Sequence, residues 1–332
     1  MDWKRIGHFL KRGDHFLLSA HVNADGDAIS SVLAFRKVLR RWNKQYSIVL
    51  HDETPDPKFV FLGAYDEIRS YHDCALDDRS VCFAVILDTP TLDRTGDISR
   101  LLSPEAQVLN IDHHESNQKL GTINIVKSNA CATTELIYYL VYALGLEIDR
   151  EMASLIYTGI LFDTGRFMFS NTSKQALAIC AEMVGFGARP DLIANEVYGE
   201  KSSETTRMLG QALCSLEVYM DGRVGSIYLD PDALSSGGDL DGFSDYPVLI
   251  KGVEVSVFLK EHEKNRFRVS LRSRGNVNVN FVAQTFGGGG HRNASGFWVE
   301  GSLQETKTRV LRELRKHLPH LPKEQAALKD SY

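Results

Sequence analysis

The residues best equipped for chemistry are Asp112-His113-His114, a carboxylate and two imidazoles placed directly after the short, mostly apolar run Val108-Leu109-Asn110-Ile111. The same residue types recur in three other stretches. In His21-Val22-Asn23-Ala24-Asp25-Gly26-Asp27, a histidine and two aspartates at spacings of four and two can point several hard or borderline donors into one small volume. Asp88 ends the apolar run Val81–Leu87, and Asp163-Thr164-Gly165 ends an apolar-rich helical segment. Simpler roles stand beside the chemical one. Asn, Asp and Gly are turn formers, and a lone Asp after a strand is often a helix cap. A calcium loop is excluded, because its later ligands and terminal Glu are missing.

A different kind of site is suggested by Gly287-Gly288-Gly289-Gly290-His291-Arg292-Asn293-Ala294-Ser295-Gly296. Consecutive glycines can bring bare backbone N–H groups against an anion, and Arg292 supplies a planar fork for phosphate oxygens. A flexible connector is the plainer alternative. Arg272 and Arg274 alternate at the end of a β-type run and therefore share a face.

The elements that must position these residues are legible in the hydrophobic pattern. His15–Ala20, Tyr46–Leu50, Val81–Leu87, Val108–Ile111 and Gly121–Val126 read as strands, with helices over Ile29–Arg41, Thr133–Leu144, Glu151–Phe162 and Ser173–Gly185. Alternating strands and helices predict a parallel sheet, and the apolar Val81–Leu87 predicts a strand buried on both faces. His21, Asp88 and Asp112 each close a strand. In a parallel sheet those ends share one edge, where ligands of open α/β sheets bind. Asp88 is expected there as an exposed carboxylate with little weight in the core. The linker is placed at 188–206, around Pro190 and Gly199–Ser203. Beyond it, Gly225–Leu229, Glu254–Leu259 and Arg266–Leu271 read as strands, and Ser302-Leu303-Gln304-Glu305 as a capping box opening a helix to about Leu318. The fold expected is α/β: a parallel-sheet domain over 1–187, a smaller α+β domain over 207–320, and a frayed tail over 321–332.

Composition narrows the class. A chain of 332 residues, 43% hydrophobic and 24% charged, suits two globular domains. No run approaches the roughly 18 apolar residues of a membrane span, and no secretory leader is visible, so a cytoplasmic protein is expected. The five cysteines, scattered and odd in number, read as reduced core residues. A net charge of −5 argues against a long footprint on duplex nucleic acid but permits a small anionic substrate in a local basic pocket.

Taken in order, His21-x-Asn23-x-Asp25-Gly26-Asp27, Asp88, Asp112-His113-His114, Asp163-Thr164-Gly165 and Gly287–Gly296 resemble the DHH phosphoesterases with a C-terminal DHHA1 domain. Within them the likeness is to the bacterial group of oligoribonucleases that also dephosphorylate 3′-phosphoadenosine-5′-phosphate (pAp). The resemblance implies a site with two Mn²⁺ ions, and imidazole plus carboxylate without thiolate agrees with that ion. It implies that His21, Asp25 and Asp88 hold one metal, and that Asp27, Asp88, His113 and Asp163 hold the other. Asp112 would orient the imidazoles and His114 would face the phosphate. Gly288, Gly289, Gly290, His291 and Arg292, with Arg272 and Arg274, would grip another substrate phosphate across an interdomain cleft. Short RNA and pAp are the implied substrates. A phosphodiesterase for cyclic or linear dinucleotides, and a catalytically silent nucleotide-binding protein, are the alternatives. A homodimer is left open.

Overall fold

The protein is described here by a computed structural model, which covers residues 3–318 apart from positions 200, 236, 275 and 276. The predicted tail at 321–332 lies outside the described residues. The chain divides into two compact units, residues 1–200 and 201–332.

In the first unit the elements are α1 (Trp3–Arg12), β1 (Phe16–Ser19), α2 (Gly26–Arg41), β2 (Tyr46–Leu50), β3 (Ile68–Ser70), β4 (Val81–Leu87), α3 (Ile98–Leu101), β5 (Leu102–Asp112), β6 (Ile123–Val126), α4 (Thr133–Ala143), α5 (Arg150–Asp163), α6 (Lys174–Gly185) and α7 (Pro190–Ala194). The six strands form a parallel sheet in the order β3-β2-β1-β4-β5-β6. The chain therefore winds outward one way from β1 and the other way from β4. The crevice beyond the carboxyl ends of β1 and β4 is the switch point, where α/β sheets bind ligands.

Packing explains why the pattern holds. β1 is buried at every position, and β4 is fully buried from Ala84 to Leu87. Nearly the whole of α2 is buried as well, because α4 and α5 pack against it while its other side covers the sheet. The expected double burial of β4 fails at its start, where Cys82 is exposed. Cys82 and Cys214 are exposed while Cys131 and Cys180 are buried, so the cysteines are free but not uniformly core. Over the stretch whose composition suggests a linker, the chain forms α7 and a π-helical turn at Asn195–Gly199.

The second unit contains α8 (Ser203–Cys214), β7 (Glu217–Tyr219), β8 (Val224–Leu229), α9 (Pro231–Ser235), β9 (Val255–Glu263), β10 (Arg266–Ser273), α10 (Val279–Thr285), β11 (Gly289–His291), β12 (Ala294–Glu300) and α11 (Leu303–His317). Its sheet runs β11-β12-β10-β9-β8-β7, antiparallel except for the parallel pair β8/β9. Burial alternates along β10, with Phe267, Val269, Leu271 and Ser273 inward on α10 and α11 and Arg266, Arg268, Ser270 and Arg272 outward. The capping box forms as read: Ser302 and Glu305 satisfy each other's backbone groups at the start of α11. The glycine-rich stretch is neither a loop nor a flexible connector. Gly287 and Gly288 donate their N–H groups to Gln284 and Ala283 at the end of α10, and Gly289–His291 pair with Ala294–Gly296 as a tight hairpin. A Cβ on Gly288 would lie 2.2 Å from the Gly296 carbonyl oxygen, which is why the hairpin requires glycine there.

Candidate metal centre

Three strand ends and two helix ends deliver the predicted residues to one place. After β1 the loop His21–Asp25 is pinned by Asp52, whose two carboxylate oxygens accept from Asn23 N at 2.7 Å and Ala24 N at 2.9 Å. Asp25 caps α2, accepting from Asp27 N and Ala28 N at 3.1 Å each. Asp27 is fully buried at the start of α2 and faces the start of α4. Its Oδ2 accepts from Thr133 N at 2.5 Å, and its Oδ1 from Thr134 N at 3.1 Å and Thr134 Oγ1 at 2.7 Å.

Asp88 follows β4 with φ of +51°, a left-handed conformation unusual outside glycine. It is 1% exposed, which corrects the expectation of an exposed strand-end carboxylate. It lies between two imidazoles. Asp88 Oδ2 is 3.5 Å from His21 Nε2, and Asp88 Oδ1 is 3.5 Å from His113 Nε2. Asp25 Oδ2 lies 3.9 Å from His21 Nε2, and Asp163 Oδ2 lies 2.9 Å from His113 Nε2. Two of the donor groups that result are His21/Asp25/Asp88 and Asp27/His113/Asp163, each with its donor atoms mutually within 4.8 Å, and Asp88 forms another with Asp112 and His114.

The histidines are oriented by acceptors on their outer nitrogens. His21 Nδ1 donates to Val22 O at 2.9 Å and His113 Nδ1 to Ala130 O at 3.2 Å, so each turns Nε2 toward the carboxylates. Metal-ligating histidines are commonly held this way. Asp112, expected to orient the imidazoles, is joined to His114 by a 2.6 Å bond between Asp112 Oδ1 and His114 Nδ1. Asn117 Nδ2 donates to Asp112 Oδ2 at 2.6 Å and to Asn110 Oδ1 at 2.9 Å, and Asn110 in turn donates to Ile86 O and Thr89 O.

The electrostatics are those of a buried anionic cluster. Burial, then the charges of Asp88 and Asp163, drive the Asp27 carboxyl well above the usual carboxylate range. Burial also raises Asp163, to about 6 despite its bond to His113. Asp88 goes the other way. Burial would raise it, but the hydrogen bond from His21 and the charges of His114, His113 and His21 hold it well below the usual range. Burial disfavours protonated His21, yet Asp88 and Asp25 hold it at about 9, and His113 is raised in the same manner, chiefly by Asp163. Without cations, the Asp27 carboxyl and the His21 and His113 imidazoles retain protons that offset the buried charge. Carboxylates and imidazoles, with no thiolate in either group, are a donor set that fits divalent Mn²⁺.

A pH prediction follows for protein kept in chelator. His21 has a folded pKa near 9 against an ordinary 6.5, so its stabilisation is complete below 6.5 and lost as pH rises through 9. Asp163, raised to about 6 from 3.8, loses its contribution earlier on the same upward path. The melting temperature in chelator should therefore fall between pH 6.5 and 9. With Mn²⁺ present it should not, because metal binding needs these donors deprotonated. A melting temperature in chelator that rises over this interval would contradict the charge balance described.

Sequence reasoning missed the residues that support this cluster. Thr133 and Thr134 read only as a helix start, although Thr133 Oγ1 also donates to Asp88 Oδ1 at 2.9 Å. Asn110, an amide inside an apolar strand, was the one available signal for the Asn110–Asn117–Asp112 network. Gly159, on α5, is unremarkable in sequence, yet a Cβ there would lie 2.4 Å from both Asp27 Oδ1 and Thr134 Oγ1.

In the second unit, Arg272 opposes Ala294 on β12, and Ala294 opposes His291, so Arg272 and the hairpin are neighbours. Arg272 Nε lies 3.3 Å from Asp245 Oδ1. Arg292 occupies the exposed hairpin turn with Asn293, whose amide donates to Ser273 Oγ at 2.9 Å. Arg274 is exposed just past β10 and is fixed through its backbone N–H to Glu254 O. His291 is thus the hairpin residue in the row of Arg272, Gly290 and Gly289 fall in the rows of Leu271 and Ser270, and the N–H of Gly288 is engaged with α10 and not open to an anion.

Residues 15–160 match the DHH family, N-terminal domain, and residues 226–318 match the DHHA1 domain. The chain is 32% identical to the bifunctional oligoribonuclease and PAP phosphatase NrnA of Thermus thermophilus, over 91% of this chain and 89% of that one. Its fold superposes on an exopolyphosphatase-related protein from Bacteroides fragilis with a TM-score of 0.86 at 29% identity, covering 95% of each. RecJ of Thermus thermophilus in complex with Mn²⁺ shares the fold at a TM-score of 0.51 and 12% identity, over 96% of this chain and 54% of that one. Among the described residues no helix is long and apolar enough to cross a membrane. With the DHH residues gathered on one sheet edge and both matches in the expected order, the chain belongs to the DHH/DHHA1 family and is a metal-dependent phosphoesterase.

Proposed function

We propose that this chain is a Mn²⁺-dependent enzyme that cuts short oligoribonucleotides to mononucleotides and dephosphorylates pAp to AMP. The substrate half of this reading draws on the similarity to a protein named for both activities. The metal half draws on one observation above all: the two oxygens of Asp88 face two different imidazoles at 3.5 Å each. In this reading His21, Asp25 and Asp88 hold one cation, and Asp27, Asp88, His113 and Asp163 hold a second. When bound, the cations supply an acidified water and neutralise charge on the phosphoryl oxygens. The chain's own residues do the rest. Asp112, braced by Asn117, fixes His114 so that this imidazole is offered to the phosphate as a hydrogen-bond donor. Thr133 and Thr134 keep the Asp27 and Asp88 carboxylates in place. Arg272, Arg274, Gly289, Gly290, His291 and Arg292 hold a phosphate other than the one being attacked, and Gly288, whose N–H is spent on α10, lets the hairpin pack there.

The test is a product assay with Mn²⁺ on pAp, a short RNA, pApA and a cyclic dinucleotide side by side, repeated in chelator. Turnover of pAp and short RNA that vanishes in chelator and returns with Mn²⁺ is expected. Preference for the cyclic dinucleotide, or full activity after exhaustive chelation, would overturn the reading. Arg292→Ala extends the test to the second phosphate. Hydrogen bonds to ionised groups contribute about 1.5–3 kcal/mol, so kcat/KM for pAp should drop by about ten- to a hundredfold. Bis-p-nitrophenyl phosphate, which lacks a second phosphate, should be cleaved at nearly the wild-type rate. Equal losses on both would place phosphate recognition elsewhere.

A further inference from the structure

Glu135 is a buried carboxylate that the chemistry above leaves unused. It is 3% exposed, yet it belongs to none of the donor groups of the metal centre. It stands three residues after Ala132, the N-cap of α4. A glutamate in that place ordinarily turns back to the N-cap N–H, while the cap side chain serves the first helical turn. Neither happens here. Ala132 offers no side-chain oxygen, and Glu135 Oε2 accepts from Cys131 N, one residue earlier, at 2.8 Å. Glu135 Oε1 accepts from the Tyr139 hydroxyl at 3.0 Å, so both oxygens are engaged. The first-turn N–H groups of Thr133 and Thr134 go to Asp27 of α2. An alanine at the N-cap thus leaves the helix end to a carboxylate from another element, and Glu135 holds the chain just before it.

One whole donor group hangs on this short segment. His113 Nδ1 donates to Ala130 O at 3.2 Å. Asn171 Nδ2 donates to Cys131 O at 3.1 Å and to Asp163 O at 3.0 Å, which ties the backbone of a second donor residue to the same loop. Asp27, the third, is held by Thr133 and Thr134. His21 and Asp25 have separate supports: His21 Nδ1 donates to Val22 O, and Asp52 pins the loop between them. Asp88 alone meets both sides, since Thr133 Oγ1 donates to its Oδ1 while His21 faces its Oδ2. Hydrogen bonds behind metal ligands fix their aim and tune affinity. A glutamate that merely stabilised the start of α4 would not distinguish one donor group from the other.

We propose that Glu135 is a positioning residue for one of the two cations. Through Cys131 N it fixes the segment 130–134, and with it the aim of Asp27, His113 and Asp163, but not that of His21 and Asp25. The inference rests on the two-cation reading above. Loss of the Glu135 carboxylate therefore separates the cations, weakening one and sparing the other.

The experiment titrates chelator-stripped protein with Mn²⁺ for wild type, Glu135→Ala, Glu135→Gln and Asn171→Ala, and follows the Nδ1–H protons of His113 and His21 by NMR in chelator. Glu135→Ala should weaken one ion by about ten- to a hundredfold, the range for loss of a partner behind a metal ligand, and leave the other at wild-type affinity. Glu135→Gln should keep both, because its amide retains an oxygen for Cys131 N and offers an N–H to the Tyr139 oxygen. Asn171 is exposed, so Asn171→Ala should stay folded and likewise weaken one ion and spare the other. Without metal, the His113 proton should exchange with water faster in Glu135→Ala, and the His21 proton should not. Wild-type affinity for both ions in Glu135→Ala, equal weakening of both, or an unchanged His113 proton would each overturn the proposal. A wild type that binds a single Mn²⁺ while the His113 proton responds as expected would refute the two-cation reading and leave the bracing of His113 by Glu135 standing.

Discussion

Asp88→Asn should lower kcat by about a thousandfold or more, the loss expected when several kcal/mol of charge stabilisation disappear together. The substitution is nearly isosteric, and Asn tolerates the left-handed backbone that Asp88 adopts at φ +51°. Shape is therefore preserved and charge removed. His21 and His113 each face a different oxygen of this carboxylate, so both imidazoles lose the anion they share. Stability should fall as well. Asp88 is 1% exposed and, in chelator, is the anion that His21, His113 and His114 share, and removing one partner of a buried ion pair is costly. The measurements are kcat on pAp with saturating Mn²⁺ and thermal unfolding in chelator. A variant with near-normal kcat would show that Asp88 is not shared between two cations.

Gly159→Ala should be damaging as well, although no substrate or metal is expected to touch it. Inside a helix this change ordinarily gains about 1 kcal/mol of propensity. Here the new methyl group would sit 2.4 Å from Asp27 Oδ1 and Thr134 Oγ1, and 2.5 Å from Thr134 Cγ2. Both side chains must move, and both belong to the bond set that fixes Asp27 at the start of α4. Overpacking of this kind costs about 1–3 kcal/mol, enough to outweigh the helical gain. Misplacing Asp27 by around an ångström should cost about a hundredfold in kcat/KM. Thr134→Ala in the same chain should restore part of the stability but not the activity, because it relieves the clash and removes a bond to Asp27. A Gly159→Ala protein that is more stable and fully active would contradict the packing described around Asp27.

The contrast between these two positions shows what a sequence discloses. Asp88 was legible because strand, carboxylate and chain order are local features, and a parallel sheet necessarily sends His21, Asp88 and Asp112 to one edge. The long apolar elements were legible for the same reason, since burial on both faces leaves a run such as Val85–Leu87 with no polar choice. Gly159 was not legible, because its constraint comes from Asp27 and Thr134, each remote in sequence. Thr133 and Asn117 were hidden likewise: a threonine at a helix start and an asparagine in a turn have ordinary local uses. The Gly287–Gly296 stretch misled in the opposite sense. Four glycines suggest open backbone, whereas here they allow α10, β11 and β12 to approach closely enough that Gly287 and Gly288 spend their N–H groups within the fold. That Asp88 closes a strand was legible but its burial was not, because the side chains around it come from α4, from the loop after β1 and from the end of β5.

The most direct test of the account is a Mn²⁺ titration of chelator-stripped protein, with free ion read by electron paramagnetic resonance. Two ions bound per chain in the wild type are predicted, spin-coupled because both would share the Asp88 carboxylate. In Asp88→Asn no more than one should remain tightly bound, without coupling. A single uncoupled Mn²⁺ in the wild type, or two coupled ions retained in Asp88→Asn, would contradict a two-cation centre bridged by Asp88.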